Sequence, residues 1–365
     1  MRYGIPYNYP QQLTLFPMRL GLWELGGKSR RSAGFFVSGR RTVPLRTRIY
    51  IDGFNLYYGC LRQTPYKWLD LIKLFEQHIL PTALHRPDTD ANASSMVLDE
   101  CAIRYFTAPI LGSAAKGADS VASQSQYHAA LLSSKRISLT KGYYSLTKSS
   151  QYLVDADNPD KHPNLCGKTQ VWKLEEKQSD VNLALALYDD ALHCPDLDQL
   201  VLVTNDTDIA PALELIKKKR PELVIGLVIP TRLDIRKEDD AGYVSDKERQ
   251  ANADLRKLAN WTRTYIRAEE LAASQLPRVV TGGRKAAIKP LSWYPRPDLL
   301  EAAMIAAKPV RPRPNQFFSW AELPRPYLGN RCPIDLLKNE VGAAEVMAYI
   351  ETYIREQLPA GADLD

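Results

Sequence analysis

The chain has 365 residues, of which 45% are hydrophobic and 25% charged, values typical of folded domains and sufficient for one large core or several smaller ones. Its net charge of +6 mildly favours an anionic partner, most commonly nucleic acid. No run approaches the roughly eighteen uninterrupted apolar residues of a membrane helix, and no signal peptide is evident. We therefore expect a cytoplasmic protein with no membrane partner.

Cysteine usage argues against a structural zinc site and against a disulfide framework. The five cysteines are scattered, and no two have CxxC spacing. Reduced thiols are the expectation.

The composition changes several times along the chain. Residues 1–46 are rich in Lys and Arg, contain one acid, Glu24, and show no sustained period. They are interpreted as a disordered extension or as sequence upstream of the true start, with a nucleic-acid-binding basic arm as the alternative. The rest is divided into a main domain (47–276), a basic Pro-rich wrap and linker (277–315), a small helical docking segment (316–358) and a tail (359–365).

Strand and helix patterns alternate from Arg48 onward. Buried-strand patterns are "RIYID", "CAIRYFTAPI", "QLVLVTND" and "LVIGLVIP". Helical patterns include "VASQSQYHAALL", "SDVNLALALYDDALH" and "TDIAPALELIKKK". In the second of these helices, the predicted core-facing stripe comprises Val181, Ala184, Leu185, Tyr188 and Leu192. This alternation predicts an α/β fold with a mostly parallel sheet covered on both faces, which binds ligands at the carboxyl ends of its strands.

Two of the predicted strands end in carboxylates. Asp52 ends the first, Asp206 and Asp208 follow "VLVTN", and Asp180 opens a helix. If the two strands are neighbours, these acids converge at one edge of the sheet. Each acid taken alone also has an ordinary structural explanation as a helix cap, a helix-dipole partner or a turn residue.

A cluster of carboxylates requires a compensating cation or protonation. Mg²⁺ is the expected cation because it prefers oxygen ligands, and no His or Cys pairs with the acids at zinc-ligand spacing. Such a site suits phosphodiester cleavage by metal-activated water. A phosphoaspartyl phosphatase fits less well because Phe54 stands two residues after the first acid. Neither GxGxxG nor GxxxxGK[ST] is present.

Several stretches between residues 48 and 294 resemble the NYN domain family, LabA-like branch, of the PIN-like nucleases. They are "YIDGFNLYYG", "PYKWLDL", "IRYFTA", "EEKQSDVNLALAL", "TNDTDIAPAL" and "SQLP". The resemblance implies a PIN-like Rossmannoid three-layer sandwich and an Mg²⁺- or Mn²⁺-dependent endoribonuclease. The implied metal ligands and catalytic acids are Asp52, Asp180, Asp206 and Asp208.

Further site residues complete this hypothesis. Asn55 and Lys177 match polar positions beside the acids in the family, and Asn205 precedes the third acid. Basic residues expected near RNA phosphates are Arg232, Arg236, Lys237, Arg284, Lys285 and Lys289.

The C-terminal segment has a weaker likeness of its own. "YLGNRCPIDLLKNEVGAAEVMAYI" resembles part of the MbcA/ParS/Xre antitoxin toxin-binding domain, which implies a protein partner for this segment. Two alternatives to the ribonuclease therefore stay open: a non-catalytic RNA-binding or regulatory module, and a component of a toxin–antitoxin or phage-defence system. The sequence leaves the oligomeric state open.

Overall fold

The computed structural model describes residues 44–83, 96–233 and 251–357. The predicted N-terminal extension up to residue 43, the basic residues Arg236 and Lys237, and the tail from 359 lie outside these ranges. None of the helices within them combines the length and apolarity needed to cross a bilayer.

The centre of the fold is a six-stranded sheet in which every neighbouring pair is parallel. The strands of the described chain are β1 (Leu45–Asp52), β2 (Met96–Thr107), β3 (Ile137–Lys141), β4 (Tyr143–Tyr152), β5 (Lys168–Lys177), β6 (Gln199–Val203), β7 (Val224–Val228), β8 (Arg232–Leu233), β9 (Trp261–Arg263), β10 (Ile266–Arg267), β11 (Val279–Val280) and β12 (Ala287–Ile288). The sheet order is β3-β2-β1-β6-β7-β9. The predicted α/β class is confirmed.

Helices connect and cover these strands. They are α1 (Gly53–Leu56), α2 (Leu71–Leu74), α3 (Ser120–Ser133), α4 (Ser179–His193), α5 (Ala210–Lys219), α6 (Ala253–Leu258), α7 (Ala268–Ala273), α8 (Pro297–Ala306), α9 (Pro314–Ala321), α10 (Pro333–Leu336) and α11 (Glu340–Gln357). Both α1 and α2 continue as π-helical turns, Tyr57–Leu61 and Phe75–Ile79. Strands β4 and β5 form a separate antiparallel hairpin.

Strand β1 lies in the middle of the sheet and is buried on both faces. Ile49 and Ile51 belong to a core that includes Trp68 and Phe75. Tyr50, pointing the other way, belongs to a second core under α4 and α5. This explains why the strand has no polar alternation.

A buried ion network holds α4 on the second face. The Asp190 carboxylate, near the end of α4, accepts from the Tyr50 hydroxyl, from Arg48 (2.9 Å) and from Arg104 (2.5 Å). Arg48 also pairs with Asp99 at 2.5 Å. Asp190, late in α4, pairs with Arg48 in the middle of β1, whereas Asp180, at the start of α4, interacts with Asp52 at the end of β1, so the helix runs antiparallel to the strand.

The face of α4 that packs against the sheet differs from the predicted one. The residues that the helix buries are Ser179, Leu183, Leu187, Asp190 and Ala191. Val181 and Leu185, predicted to face the core, are each 62% exposed. The apolar stripe was wrong because a paired aspartate, read as polar surface in the sequence, lies on the buried side.

The C-terminal helices form a third core. Helices α8, α9 and α11 enclose a cluster that includes Leu300, Phe317 and Val346. Arg278 joins this cluster to the preceding chain, since its guanidinium lies 4.3 Å from the Phe318 ring centroid and pairs with Glu322 at 2.9 Å. Helix α8 falls within the stretch predicted as wrap and linker.

Replacing Asp190 by Asn should lower the free energy of unfolding by about 3–5 kcal/mol, because the buried Arg48 would lose a charged partner. The matched control is Asp189→Asn on the exposed side of the same helix, expected to change stability by about 0.5 kcal/mol or less. Urea unfolding followed by circular dichroism measures both. Equal effects would show that the network does not stabilise α4.

Close packing predicts a second stability effect, at Gly59. A Cβ at this position would lie 1.6 Å from the Pro230 carbonyl oxygen, which is backbone and cannot rotate away. Gly59→Ala should therefore destabilise the protein by about 1–3 kcal/mol. The control is Gly112→Ala, where a Cβ meets nothing within 4 Å. Differential scanning calorimetry measures both variants, and an unfolding temperature unchanged by Gly59→Ala would contradict this packing.

Candidate functional site

A cavity of about 690 Å³ opens at the carboxyl edge of the sheet. It lies where β1 ends, beside β6, which is the point at which the strand order reverses direction. Open parallel sheets bind their ligands at such points. The other walls come from α1, α3, the base of the β4–β5 hairpin and the start of α4.

Asp52 lines this cavity and is only 6% exposed. One carboxylate oxygen accepts the Asn55 backbone N–H at 2.9 Å. The other accepts the Asn55 side-chain amide at 2.5 Å and the buried Thr204 hydroxyl at 2.9 Å. Asp52 thus caps α1 and is held rigidly by three donors.

Asp180 reaches the cavity from the first turn of α4. The strand β5 leads directly into this helix through Gln178, whose φ of 74° is rare for a residue with a side chain. Gly142 packs against the junction, since a Cβ there would lie 2.3 Å from the Lys177 carbonyl oxygen. The tight connection fixes Asp180 beside the strand ends.

Several acids of the cavity lining perturb one another. Desolvation, followed by repulsion from Asp52 and Asp206, raises the pKa of Asp180 to about 6. Burial also raises the pKa of Asp52, and three hydrogen bonds oppose that effect. Burial likewise raises the pKa of Glu176, which accepts from Ser179 at 2.5 Å. The pKa values of all three carboxyls are therefore higher than those of exposed acids.

Aromatic side chains form the middle of the cavity. Tyr105 lies close enough to Asp52 for the two to interact electrostatically, and burial raises its pKa. Tyr127 follows, with its ring centroid 5.8 Å from that of Trp293. Phe54 and Tyr58, whose ring centroids are 4.3 Å apart, line the cavity from α1 and its continuation. These surfaces suit a flat, unsaturated ligand.

The cavity lining also contains basic side chains. Lys67 and Lys116 are the two lysines among its described lining residues. Asp119 is also present, and its carboxylate accepts from Ser123 at 2.9 Å and from Ser292. His128, 8% exposed, adds an imidazole whose pKa is lowered to about 4 by burial and by the charge of Lys141.

The structure brings together some of the predicted site residues and separates others. Asp52, Asn55, Asp180 and Asp206 all line the cavity. Asp208 is exposed and donates its N–H to Asp206 at 3.0 Å. It is not among the described lining residues, and its negative charge makes a small contribution to the raised pKa of Asp180. The predicted substrate-binding residues lie outside the described lining: Lys177, Asn205, Arg232, Arg284 and Lys285.

These five residues have other surroundings. Lys177 pairs with Glu175 at 3.2 Å. Asn205 accepts the Asn252 N–H at 3.0 Å, and Arg232 donates to the Cys60 carbonyl at 3.3 Å. Arg284 and Lys285 are exposed in the connection between β11 and β12.

Several lining residues were not foreseen from the sequence. Glu176 precedes the predicted acids in "EEKQSD" and offered a signal, because the following helix places it at the same sheet edge. Lys67, Asp119 and His128 offered none, since no local spacing links them to the strand-end acids. Only the fold brings them together.

The perturbed carboxyl of Asp180 makes stability depend on pH. Its folded-state pKa of about 6 exceeds the ordinary 3.8, so ionisation costs more in the folded state. We expect Asp180→Asn to match wild type near pH 4 and to be more stable by roughly 1 kcal/mol above pH 6, a figure reduced for the partial exposure of this side chain. Thermal unfolding across this range measures it, with the exposed Asp160→Asn as control. A constant difference at all pH values would contradict the assigned origin.

One relative defines the family. The chain is 48% identical over 316 residues, 86% of this chain and 96% of the relative, to 6-hydroxy-3-succinoylpyridine 3-monooxygenase HspA of Pseudomonas putida. No protein-family model matches the chain, and no solved structure matches it.

This finding overturns the nuclease hypothesis. A relative this similar over nearly its whole length is a monooxygenase, so the assignment to the NYN and PIN-like nucleases was wrong. The predicted hydrolytic endoribonuclease activity was wrong with it. Neither alternative, the RNA-binding or regulatory module and the toxin–antitoxin or phage-defence component, is favoured, and the likeness of the tail to an antitoxin domain is not supported.

The predicted Mg²⁺ or Mn²⁺ cofactor was also wrong. Although the strand-end acids converge, the described residues contain no group of three or more His, Cys, Asp or Glu side chains placed to hold a metal ion. The physical reason lies in the partners of the acids: Asp52 accepts hydrogen bonds at both oxygens, and Asp206 caps the turn that follows it. The chain belongs to the family of 6-hydroxy-3-succinoylpyridine 3-monooxygenase.

Proposed function

We propose that this protein is a monooxygenase acting on a hydroxylated pyridine that carries an acidic side chain. The observation that supports this most strongly is the 48% identity to 6-hydroxy-3-succinoylpyridine 3-monooxygenase, extending over 96% of that relative. The cavity is consistent with it, because 690 Å³ is within the usual range for small-molecule sites and seven of its lining residues are Phe, Tyr or Trp.

The acids of the cavity lining supply acceptors for the ring. A hydroxypyridine presents an O–H or a ring N–H, both donors, and carboxylates are acceptors. Asp52 is fixed by its three hydrogen bonds, whereas Asp180 is solvent accessible and has a pKa of about 6. In the proposed mechanism, Asp52 orients the ring and Asp180 accepts its proton.

Removing that proton favours oxygenation on electronic grounds. In the relative's named substrate the hydroxyl at ring position 6 is para to position 3, where that enzyme acts as its name states. Loss of the hydroxyl proton raises electron density at the para carbon. A base with a pKa close to the working pH suits this role.

Monooxygenation places one atom of O₂ on the ring and reduces the other to water. In the relative's named substrate, ring position 3 already carries the succinoyl group, so a new C–O bond there replaces the bond from C3 to that group. If the side chain leaves as an aldehyde, the whole reaction takes four electrons and four protons from the donor.

Flavins commonly support this chemistry. In sheets of this order, a dinucleotide places its pyrophosphate at the N-terminus of the helix after the first strand, in a Gly-rich turn. Here the Asn55 N–H at the start of α1 already donates to the Asp52 carboxylate, which occupies the position of the pyrophosphate. This turn does not fit a dinucleotide, and no step is assigned to one.

Other expectations accompany this proposal. We propose a PIN-like three-layer arrangement for the fold, supported by helices on both faces of the parallel sheet. A cytoplasmic location also stays a proposal. RNA and a protein partner at the C-terminal helical segment remain predicted partners.

The test is oxygen incorporation from ¹⁸O₂ into 6-hydroxy-3-succinoylpyridine, with reduced nicotinamide or reduced flavin as the electron donor and mass spectrometry as the readout. Wild type should give product containing one ¹⁸O atom. Asp180→Asn should lower kcat/KM about 100-fold and abolish its rise through pH 6, because the general base is lost. The control Asp160→Asn should behave as wild type. No ¹⁸O in the product with either donor would contradict the proposed function.

A further inference from the structure

Lys67 is a charged side chain without a close counterion. It is half-buried, lines the same cavity as Asp52 and Asp180, and its ammonium lies 5.6 Å from the Trp293 ring centroid. Burial lowers its pKa. Within the described parts of the chain it makes no ion pair.

The nearest acid does not satisfy this charge. Asp119 interacts with Lys67 only at longer range, while its carboxylate accepts from Ser123 and Ser292. Those two hydroxyls hold the carboxylate at the start of α3 and away from the ammonium. A partly desolvated cation that faces an open cavity is poised to bind an anion from solution.

The electric field in the cavity has a direction. Asp52, Glu176 and Asp206 all interact electrostatically with Asp180, and none of these four acids forms an ion pair with a lysine or arginine of the described lining. Lys67 and Lys116 are the lysines of that lining, and Lys67 interacts electrostatically with Asp119, the residue before the fourteen-residue helix α3, and not with those four acids. The N-terminal end of a helix adds further positive potential. A ligand carboxylate is therefore repelled by the four acids and attracted by Lys67 and Lys116, whose two positive charges exceed the single negative charge of Asp119 beside them.

A series of aromatic side chains leads from Asp52 to Lys67. Tyr105 interacts with Asp52, Tyr127 interacts with Tyr105, and Tyr127 contacts Trp293, over which Lys67 lies. A flat ring with a short acidic chain can follow these side chains with its donors at the carboxylates. His128 adds a neutral imidazole, 8% exposed, with no hydrogen-bond partner among the described residues.

We propose that Lys67 forms a carboxylate-binding subsite that fixes the acidic side chain of the substrate, while the hydroxypyridine ring lies at Asp52 and Asp180. This inference rests on the proposed function. It makes Lys67 a determinant of specificity, since a ring without the carboxylate loses its anchor and its single orientation.

The experiment measures binding of two ligands by isothermal titration calorimetry. One is 6-hydroxy-3-succinoylpyridine, and the other is 6-hydroxy-3-butanoylpyridine, which has the same ring and ketone but a methyl group in place of the carboxylate. Wild type should prefer the acid roughly 10- to 100-fold. Lys67→Met should reduce that preference to about threefold or less and leave the affinity for the butanoyl ligand unchanged.

Two further variants keep the result interpretable. Lys67→Arg retains the charge and should retain most of the preference. Lys73→Met, on α2 and outside the described lining, should behave as wild type. Circular dichroism checks folding of each variant, and Lys67→Gln replaces Lys67→Met if the latter does not fold.

The outcomes separate this inference from the proposed function. A Lys67→Met protein that still prefers the acid overturns the subsite and leaves the proposed function standing. Equal binding of both ligands by the wild type would also overturn the subsite and leave the proposed function standing. Wild type that binds neither ligand overturns the proposed function and the subsite together.

Discussion

The arrangement of the site depends on the buried carboxylate of Asp190. Arg48 and Tyr50 in β1 and Arg104 in β2 all converge on this one group, in a region almost closed to water. Charges that are buried and mutually paired tolerate little displacement, because any gap leaves an ion desolvated without compensation. The network therefore fixes both the direction and the axial position of α4. Asp180, ten residues earlier, lies about 15 Å along the helix, at the carboxyl edge of the sheet.

The same helix thus carries two acids with opposite consequences. Asp190 is neutralised by cations and stabilises the packing of α4 on the sheet. Burial, together with repulsion from the surrounding acids, raises the pKa of Asp180 to about 6. The fold accepts this repulsion at the edge of the sheet because stabilisation at the opposite end of the helix offsets it. Unfavourable electrostatics of this kind are concentrated where proton transfer is needed.

How much the sequence predicts depends on the range of the interaction involved. Alternating strands and helices, and acids at strand ends, are local patterns, and they placed Asp52, Asp180 and Asp206 in one cavity. The buried face of α4 was mispredicted because an aspartate belongs in the core only once its partners on β1 and β2 are known. Lys67 lies in the loop before α2, and His128 lies in α3, so no sequence spacing relates either residue to the acids. Strand β9 was missed because three residues carry too weak a pattern.

Strand-end carboxylates serve two kinds of chemistry that sequence alone does not separate. A carboxylate that binds a metal needs an oxygen atom free to coordinate it. A carboxylate that transfers a proton needs neighbours that adjust its pKa. The difference lies in which oxygens are already engaged. Asp52 accepts hydrogen bonds from Asn55 and Thr204, and Asn55 sits three residues away as part of the same helix cap. The sequence "DGFN" suggested a metal ligand followed by a polar neighbour. In the structure, its aspartate and asparagine hydrogen-bond to each other and cap α1 instead. This cap leaves Asp180 as the carboxyl free to exchange a proton with a ligand.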